Sequence, residues 1–168
     1  MLPRLRQRAP KDPYTRTLYG GKVVNWRTRG ALMKLSATLY GKPYLLDVLQ
    51  GSYNRGVSAS GGTHDGGGAV DLSANDHNRK VCVGREIGFA GMWYRPNLPG
   101  EWSEHCHGVL RGDEEMSPEA AAQVRAYDDG KNGLANGAPD NADCHPDNVS
   151  FNYQAWRKHY NRTGRAVR

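Results

Sequence analysis

Residues 61–72, GGTHDGGGAVDL, constrain the fold more than any other stretch of the sequence. The glycines allow tight turns and let other groups approach the backbone closely. The Ala-Val-Asp-Leu that follows is typical of an extended segment, in which successive side chains face opposite ways, so Asp71 and Leu72 are expected on different faces. His64 and Asp71 stand seven positions apart across the glycine run. This arrangement of an imidazole and a carboxylate suits a metal site.

A second polar cluster occupies residues 102–107, WSEHCH, where an acid and two imidazoles are gathered. If the segment is a strand, His105 and His107 face the same side and Cys106 faces the core. Only one imidazole of this pair is then needed as a metal ligand, and the other is free to orient or protonate a reacting group.

The two clusters together predict a zinc site with its own base. Zinc binds imidazole nitrogen and carboxylate oxygen, and a catalytic zinc keeps three protein ligands and one open position. His64, Asp71 and His107 supply such a set. Glu104 stands three residues before His107, where it can take a proton from a water whose pKa the metal lowers. This chemistry is that of a hydrolase.

Each part also has a simpler interpretation. The glycine run alone is compatible with a flexible connector, and Asp71 alone with a turn residue. Glu104 alone is compatible with a solvated surface carboxylate, and a single histidine with a hydrogen-bonded structural residue. The spaced combination favours the metal site. The three histidines outside the clusters are expected to be structural or surface residues: His77, His145 and His159.

The length of 168 residues fits one domain, and the formal charge of +6 favours anionic partners. Part of this charge lies at the ends, so we expect a basic N-terminal arm or surface strap at 1–20, one domain at 21–160 and a basic tail at 161–168. Nucleic acid, membrane surfaces and bacterial wall polymers are all anionic. No DNA-recognition helix or base-stacking motif is evident, which argues against sequence-specific nucleic-acid binding.

The cysteines and the start of the chain bear on where the protein is made. Three cysteines without a CxxC motif do not predict a disulfide framework, although one bridge, such as Cys82 with Cys144, stays open. Cys106 is expected to be a small buried residue. No apolar run is long enough for a membrane span or a signal peptide. We therefore expect synthesis as a soluble cytosolic product that something else releases if it acts outside the cell.

Hydrophobic periodicity and turn residues predict helices alternating with short strands. Met92–Tyr94 and the segment 105–110 are expected to pair as antiparallel strands. Ser117 is expected to cap the helix that follows them, and residues 130–150 are expected to form a loop. The remaining predicted elements are a helix from Thr28 to Tyr40, a strand from Tyr44 to Gln50, a glycine-weakened helix within 81–91 and a last helix from Asn152 to Tyr160.

The motifs His64-x-x-Gly67-x-Ala69-x-Asp71 and Trp102-x-Glu104-x-x-His107, in this order, resemble the motif pair of the zinc D-alanyl-D-alanine carboxypeptidases and dipeptidases. This group also contains phage L-alanyl-D-glutamate endolysins and has a Hedgehog-like fold. The resemblance covers roughly residues 44–110. It implies an α+β domain with a small central antiparallel sheet flanked by helices. It also implies Zn²⁺ on His64, Asp71 and His107, with Glu104 as general base and acid.

The resemblance further implies that the substrate is a peptide stem of peptidoglycan, cut next to a D-residue or between L-alanine and D-glutamate. The predicted substrate-binding residues flank the first strand and the first histidine: Gln50, Tyr53, Asn54, Ser60 and Thr63. Two departures stand out. Gly62 occupies the place of the family's serine, and Asn54 that of its arginine, with Arg55 one step away. Arg55, His105 or the zinc alone are therefore candidates to stabilise the developing oxyanion.

Two classes of function follow from these patterns. The first is a peptidase of wall peptides, either a D,D-carboxypeptidase or an L-Ala-D-Glu endopeptidase, that reaches the wall after phage-mediated release or as part of a virion. The second is a binding or structural module, such as a virion part, that keeps the fold without activity. Anionic wall polymers are expected partners in both cases.

Overall fold

A computed structural model describes residues 7–164, which form an α+β structure with two antiparallel sheets. The six strands of this part are β1 (Arg16–Tyr19), β2 (Lys22–Asn25), β3 (Val48–Gln50), β4 (Ala69–Ser73), β5 (Phe89–Arg95) and β6 (His105–Leu110). Its four α-helices are α1 (Trp26–Tyr40), α2 (His77–Ile87), α3 (Pro118–Asp128) and α4 (Tyr153–Thr163), and Ser58–Ser60 form a 3-10 turn. None of the helices in residues 7–164 has the length and apolar character needed to cross a membrane.

The larger sheet has the strand order β3-β4-β6-β5, and every neighbouring pair is antiparallel. Asp71, His107 and Trp93 are register partners across β4, β6 and β5 and share one face, called here the site face. Leu72, Cys106 and Tyr94 are the next partners and lie on the opposite, core face. The predicted antiparallel pairing of 92–94 with 105–110 is confirmed, as is the separation of Asp71 from Leu72.

Helices cover both faces of this sheet. The core face packs against α1, α2 and α4, and fully buried Leu32, Leu35 and Leu72 belong to that apolar cluster. The site face packs against α3, where Ala120 contacts the cluster of Ala69 and Val109. Ala69 and Val109 therefore lie under α3, and Asp71 and His107 occupy the polar end of the same face.

Two helix starts show how capping sets the boundaries. The Asn25 side chain accepts a hydrogen bond from the Thr28 amide, so α1 begins at Trp26 and not at Thr28 as the sequence suggested. Ser117 caps α3 by accepting from the Ala120 amide, and Pro118 fills the first helical position as predicted.

The glycines of α2 serve packing against the sheet. A Cβ on Gly84 would lie 2.2 Å from the Met92 sulfur, so this glycine lets α2 approach β5 closely. Gly88, with φ of +120°, ends the helix, and the chain turns directly into β5. For this reason α2 stops at Ile87 and the segment predicted as the end of a helix is strand. The predicted strand 44–50 is likewise shorter, and begins at Val48.

Part of the segment expected to be an N-terminal arm belongs to the fold. Arg16–Tyr19 pair with Lys22–Asn25, because Gly20 and Gly21 with positive φ close a two-residue hairpin turn. Ahead of the hairpin, the Ala9 amide donates to Asn161 Oδ1 at 2.8 Å, which ties residues 9 and 161 together. The predicted arm and tail also include residues 1–6 and 165–168, which lie outside the described residues.

One disulfide fastens the long loop between α3 and α4 to α2. Cys82 of α2 is bonded to Cys144, while Cys106 is a free, buried thiol as predicted. Arg85, one turn along α2, donates to the Cys144 carbonyl at 2.6 Å and pairs with Asp140 at 2.8 Å. A covalent bond and a buried ion pair therefore hold the same loop.

We predict that replacing Cys82 and Cys144 together by alanine lowers the free energy of unfolding by about 2–4 kcal/mol, because the bond restricts the unfolded chain. Urea denaturation with and without a reductant measures this. The double variant is the matched control, since its midpoint should not respond to reductant. An unchanged midpoint of the wild-type protein on full reduction would contradict a stabilising role.

Candidate metal centre

Three side chains predicted as metal ligands converge in the structure. One ligand atom from each of His64, Asp71 and His107 lies within 4.8 Å of the others, and they form a group able to hold a metal ion. His107 Nδ1 lies 2.7 Å from Asp71 Oδ1, and His64 Nε2 lies 3.3 Å from both of those atoms. Both imidazoles are buried. We call these three side chains the trio.

The spacing of the trio fits zinc. Ligand atoms about 2.0–2.1 Å from a tetrahedral zinc lie about 3.3 Å from one another. The two separations that involve His64 Nε2 already have this value. The third, between Asp71 and His107, is 2.7 Å and has to widen by a few tenths of an ångström.

Strand pairing and a packed loop position the three ligands. Asp71 and His107 are direct partners of β4 and β6. His64 comes from the glycine-rich loop, where a Cβ on Gly66 would meet the Glu115 carbonyl at 2.2 Å and one on Gly67 would meet Asp113 at 2.6 Å. The glycine run is therefore a tightly packed loop under the segment before α3, and the interpretation as a flexible connector is wrong.

Hydrogen bonds on the far side of each imidazole fix its orientation. The Gly51 carbonyl, 2.8 Å from His64 Nδ1, can only accept, so His64 carries its proton there and turns an unprotonated Nε2 toward the trio. Gln123 Oε1 lies 2.7 Å from His107 Nε2. The Gln123 amide nitrogen donates to the Gly133 carbonyl, which directs its oxygen at His107. His107 therefore presents an unprotonated Nδ1 to the trio.

The electrostatics of the trio favour a bound cation. Burial opposes the charge of His64, yet its hydrogen bond and attraction to Asp71 outweigh this and raise the pKa of His64. Burial lowers the pKa of His107 despite the same carboxylate. Burial would raise the pKa of Asp71, but a proton on the facing nitrogen of His107 or His64 forms a hydrogen bond to the carboxylate and holds this pKa far below its usual range. When both imidazoles are neutral with their protons on the far nitrogens, two nitrogen lone pairs face one carboxylate, and a bound cation takes the place of the proton between them.

The structure does not bring Glu104 to the trio. Its carboxylate is exposed and accepts a hydrogen bond from the Tyr94 hydroxyl at 2.9 Å, and Tyr94 belongs to the core face. His105 lies on the site face, and its Nε2 is 3.8 Å from Asp71 Oδ1. His105 Nδ1 lies 2.7 Å from the Ser103 carbonyl, which leaves Nε2 unprotonated on the side of the trio.

The predicted substrate-binding residues lie in the segments 50–54 and 60–63 ahead of His64, and several are held by other contacts. Gln50 donates to Ser60 Oγ at 2.8 Å, and the buried Thr63 hydroxyl donates to the Ser60 carbonyl. The Tyr53 hydroxyl donates to Glu115. The remaining residue of this group, Asn54, is exposed, and so is Arg55, the predicted oxyanion-stabilising residue. The substrate-binding and catalytic roles of these residues remain predictions.

Two side chains next to the trio were not predicted. The Trp93 ring stacks almost parallel to His107, with 6.4 Å between ring centroids. The Arg95 guanidinium lies 4.8 Å from the Trp93 ring centroid and is 5% exposed. Burial lowers the pKa of Arg95 to about 10, so the guanidinium is charged at neutral pH. The site face therefore carries a fixed positive charge beside the trio.

Comparison of the chain with protein-family models, with curated proteins and with solved structures gave no significant match. The resemblance to a zinc peptidase family therefore rests on the two sequence motifs.

We predict that Gln123→Ala weakens zinc binding by about 10- to 100-fold, because His107 loses the partner that holds its tautomer and ring orientation. Competition with a chromogenic chelator measures the affinity. Gln154→Ala on the exposed side of α4 is the matched control and should bind zinc as the wild type does. Equal affinity of the two variants would remove Gln123 from the site.

We also predict that zinc binding weakens as the pH falls. The pKa of His64 is raised above its ordinary 6.5, so below that raised value zinc must displace a proton from His64. Each displaced proton costs about tenfold in affinity per pH unit. Calorimetry in buffers of different ionisation enthalpy, near about pH 6, should detect release of about one proton. Binding without proton release there would contradict His64 as a ligand.

Proposed function

We propose that the protein is a zinc-dependent peptidase that hydrolyses peptide stems of peptidoglycan. The observation that carries the proposal is the convergence of His64 Nε2, Asp71 Oδ1 and His107 Nδ1 on one point, with both imidazole tautomers set by partners outside it. The motif pair that predicted these ligands supports the substrate class. A Hedgehog-like arrangement of the α+β domain is part of the same proposal.

The chemistry follows from the residues around this point. Zinc, when bound, supplies a Lewis acid that polarises a scissile carbonyl and lowers the pKa of a water. The trio would supply three of the four ligands of a tetrahedral zinc and would leave the fourth coordination position for water or substrate. The stacked Trp93 ring and the Gln123 hydrogen bond keep His107 in place during the reaction.

Proton transfer is the step for which motif and geometry favour different residues. The spacing of the motif points to Glu104, which would first have to leave the Tyr94 hydroxyl. The geometry favours His105, whose Nε2 lies on the site face 3.8 Å from Asp71 Oδ1. We assign the proton transfer from water to the leaving amine to His105, with Glu104 as the second candidate.

Two properties of the chain support action at a cell wall. The net charge of +6 favours anionic wall polymers. The bond between Cys82 and Cys144 is of a kind that persists in oxidising surroundings outside the cytosol. Release by a phage or carriage in a virion would bring the protein to such surroundings.

The alternative is a binding module that keeps the metal site without turnover. The exposed positions of Glu104 and Arg55 are the observations that favour it, since neither predicted catalytic group contacts the trio. Such a module would bind wall peptides and leave them intact.

We predict that the zinc-loaded protein releases peptide fragments from purified peptidoglycan and that Asp71→Ala loses both zinc and this activity. Mass spectrometry of the products identifies the bond that is cut, and metal analysis of the same samples gives the zinc content. Asp65→Ala, at a carboxylate of the same loop outside the trio, is the matched control. Full zinc content with uncut stems in the wild type would favour the binding module.

A matched pair of variants assigns the proton carrier. We predict that His105→Gln retains about one zinc per chain and loses about 100-fold or more in turnover, the usual contribution of a positioned acid or base. Glu104→Gln should keep most of the activity. The reverse pattern would give the role to Glu104 and would require its carboxylate to leave Tyr94.

A further inference from the structure

Two buried hydrogen-bond donors beside the trio have no acceptor within the described part of the chain. They are Arg95 Nη2 and Trp93 Nε1. A buried donor without a partner has lost its hydrogen bonds to water without compensation, so a pair of them on neighbouring side chains needs an explanation. Both residues line the same cavity, which has a volume of about 750 Å³.

The cavity lies along β5, the outer strand of the sheet, and α2 forms one of its walls with Val81, Cys82 and Arg85. Trp93 forms part of its wall and stacks on His107, so one side chain separates the cavity from the trio. The loop between α3 and α4 forms the opposite wall with Asn132, Leu134 and Asp140. A ligand that extends from the trio into this space has to pass along the Trp93 ring.

Within residues 7–164, no carboxylate forms an ion pair with Arg95. Asp71 and Asp140 both attract it. Asp71, however, is hydrogen-bonded within the trio, and Asp140 pairs with Arg85 at 2.8 Å. Arg85 itself has the Met92 and Cys144 carbonyls as further acceptors. Arg95 is thus a charged donor that is free for a ligand.

Close packing holds the six-membered-ring edge of the Trp93 indole. A Cβ on Gly91 would lie 1.9 Å from the far edge of the indole, and one on Gly133 would lie 2.6 Å from it. Both positions have positive φ, where glycine is favoured. The indole is therefore clamped between two glycines, with Arg95 over its face.

We propose that Arg95 and Trp93 form an anchor for a free carboxylate of the bound peptide, next to the bond that is cut. This inference rests on the proposed function and names the substrate class for the same site. A carboxylate has acceptor positions for both a guanidinium and an indole N–H, and arginine binds it with a planar fork.

The register sets how far the carboxylate lies from the reacting bond. Arg95 pairs with His105, and Trp93 pairs with His107, so Arg95 and His107 are diagonal neighbours. Both side chains project from the same face of neighbouring strands. The anchored carboxylate therefore belongs to a residue close to the scissile bond, such as a C-terminal D-alanine or the α-carboxylate of D-glutamate.

The test compares peptides that differ only in this carboxylate. The probes are N-acetyl-D-alanyl-D-alanine and N-acetyl-L-alanyl-D-glutamate, each as the free acid and as the α-amide. The Trp93 indole N–H resonance, assigned with Trp93→Phe, reports binding to the metal-free and the zinc-loaded protein. We expect the free acids to shift this resonance and to bind about 10-fold or more tighter than the amides.

Variants of Arg95 distinguish the effect of its positive charge from the effect of its planar guanidinium. Arg95→Gln should bind the free acids about 10- to 100-fold more weakly and should no longer distinguish them from the amides. Arg95→Lys should recover part of the affinity, since it keeps the charge and loses the fork. Arg79→Gln, at an exposed arginine of α2, is the matched control for loss of one charge and should bind as the wild type does.

Equal binding of acid and amide by the wild-type protein would overturn the anchor, whether or not Arg95 variants fold. Unchanged discrimination in folded Arg95→Gln would overturn it as well. These results are independent of cleavage, because binding to the metal-free protein is measured directly. A protein that discriminates acid from amide but leaves peptidoglycan uncut would keep the anchor and overturn the peptidase. The acid that binds more tightly tells which of the two carboxylates is the natural one.

Discussion

The pairing of β4 with β6 is the interaction on which the site depends. It places Asp71 opposite His107, and a slip of one residue between the strands would put the two side chains on opposite faces of the sheet. The apolar residues between them prevent such a slip, because Leu72 and Cys106 are fully buried on the core face. Moving them to the site face would expose apolar surface to water. The hydrophobic core therefore sets the register, and the register sets the metal ligands.

Helix α3 joins the other parts of the site to this sheet. Its cap, Ser117, donates to the Thr63 carbonyl and so fastens the loop that carries His64. Six residues after Ser117, the Gln123 side chain lies within hydrogen-bond distance of His107 Nε2. A single helix thus positions one ligand through the backbone of its loop and another through a side chain. Without the ordered loop or this helix, Asp71 and His107 would remain on the sheet, but His64 would not be held beside them.

The metal ligands could be predicted from the sequence because each lies in one of two short motifs, and because side chains alternate between faces along a strand. His64, Asp71 and His107 followed from two motifs in one order. Gln123 and Arg95 did not follow, because their roles depend on tertiary contacts: a helix packed on the sheet in one case and a face of an edge strand in the other. The placement of Glu104 differs from the motif's implication, since its carboxylate turns to Tyr94 at the end of the strand. The hairpin at 16–25 was missed although Gly20-Gly21 between two strand-like runs is a hairpin signal, because the basic residues and prolines ahead of it led us to interpret the whole segment as an arm.

The most direct test of the account is the position of zinc in a crystal of the metal-loaded protein, located by anomalous scattering at the zinc edge. The account predicts one peak per chain, bound by His64 Nε2, Asp71 Oδ1 and His107 Nδ1 at about 2.0–2.2 Å, with Gln123 still on the far nitrogen of His107. A peak held by other residues, or no peak in a crystal grown with excess zinc, would contradict it.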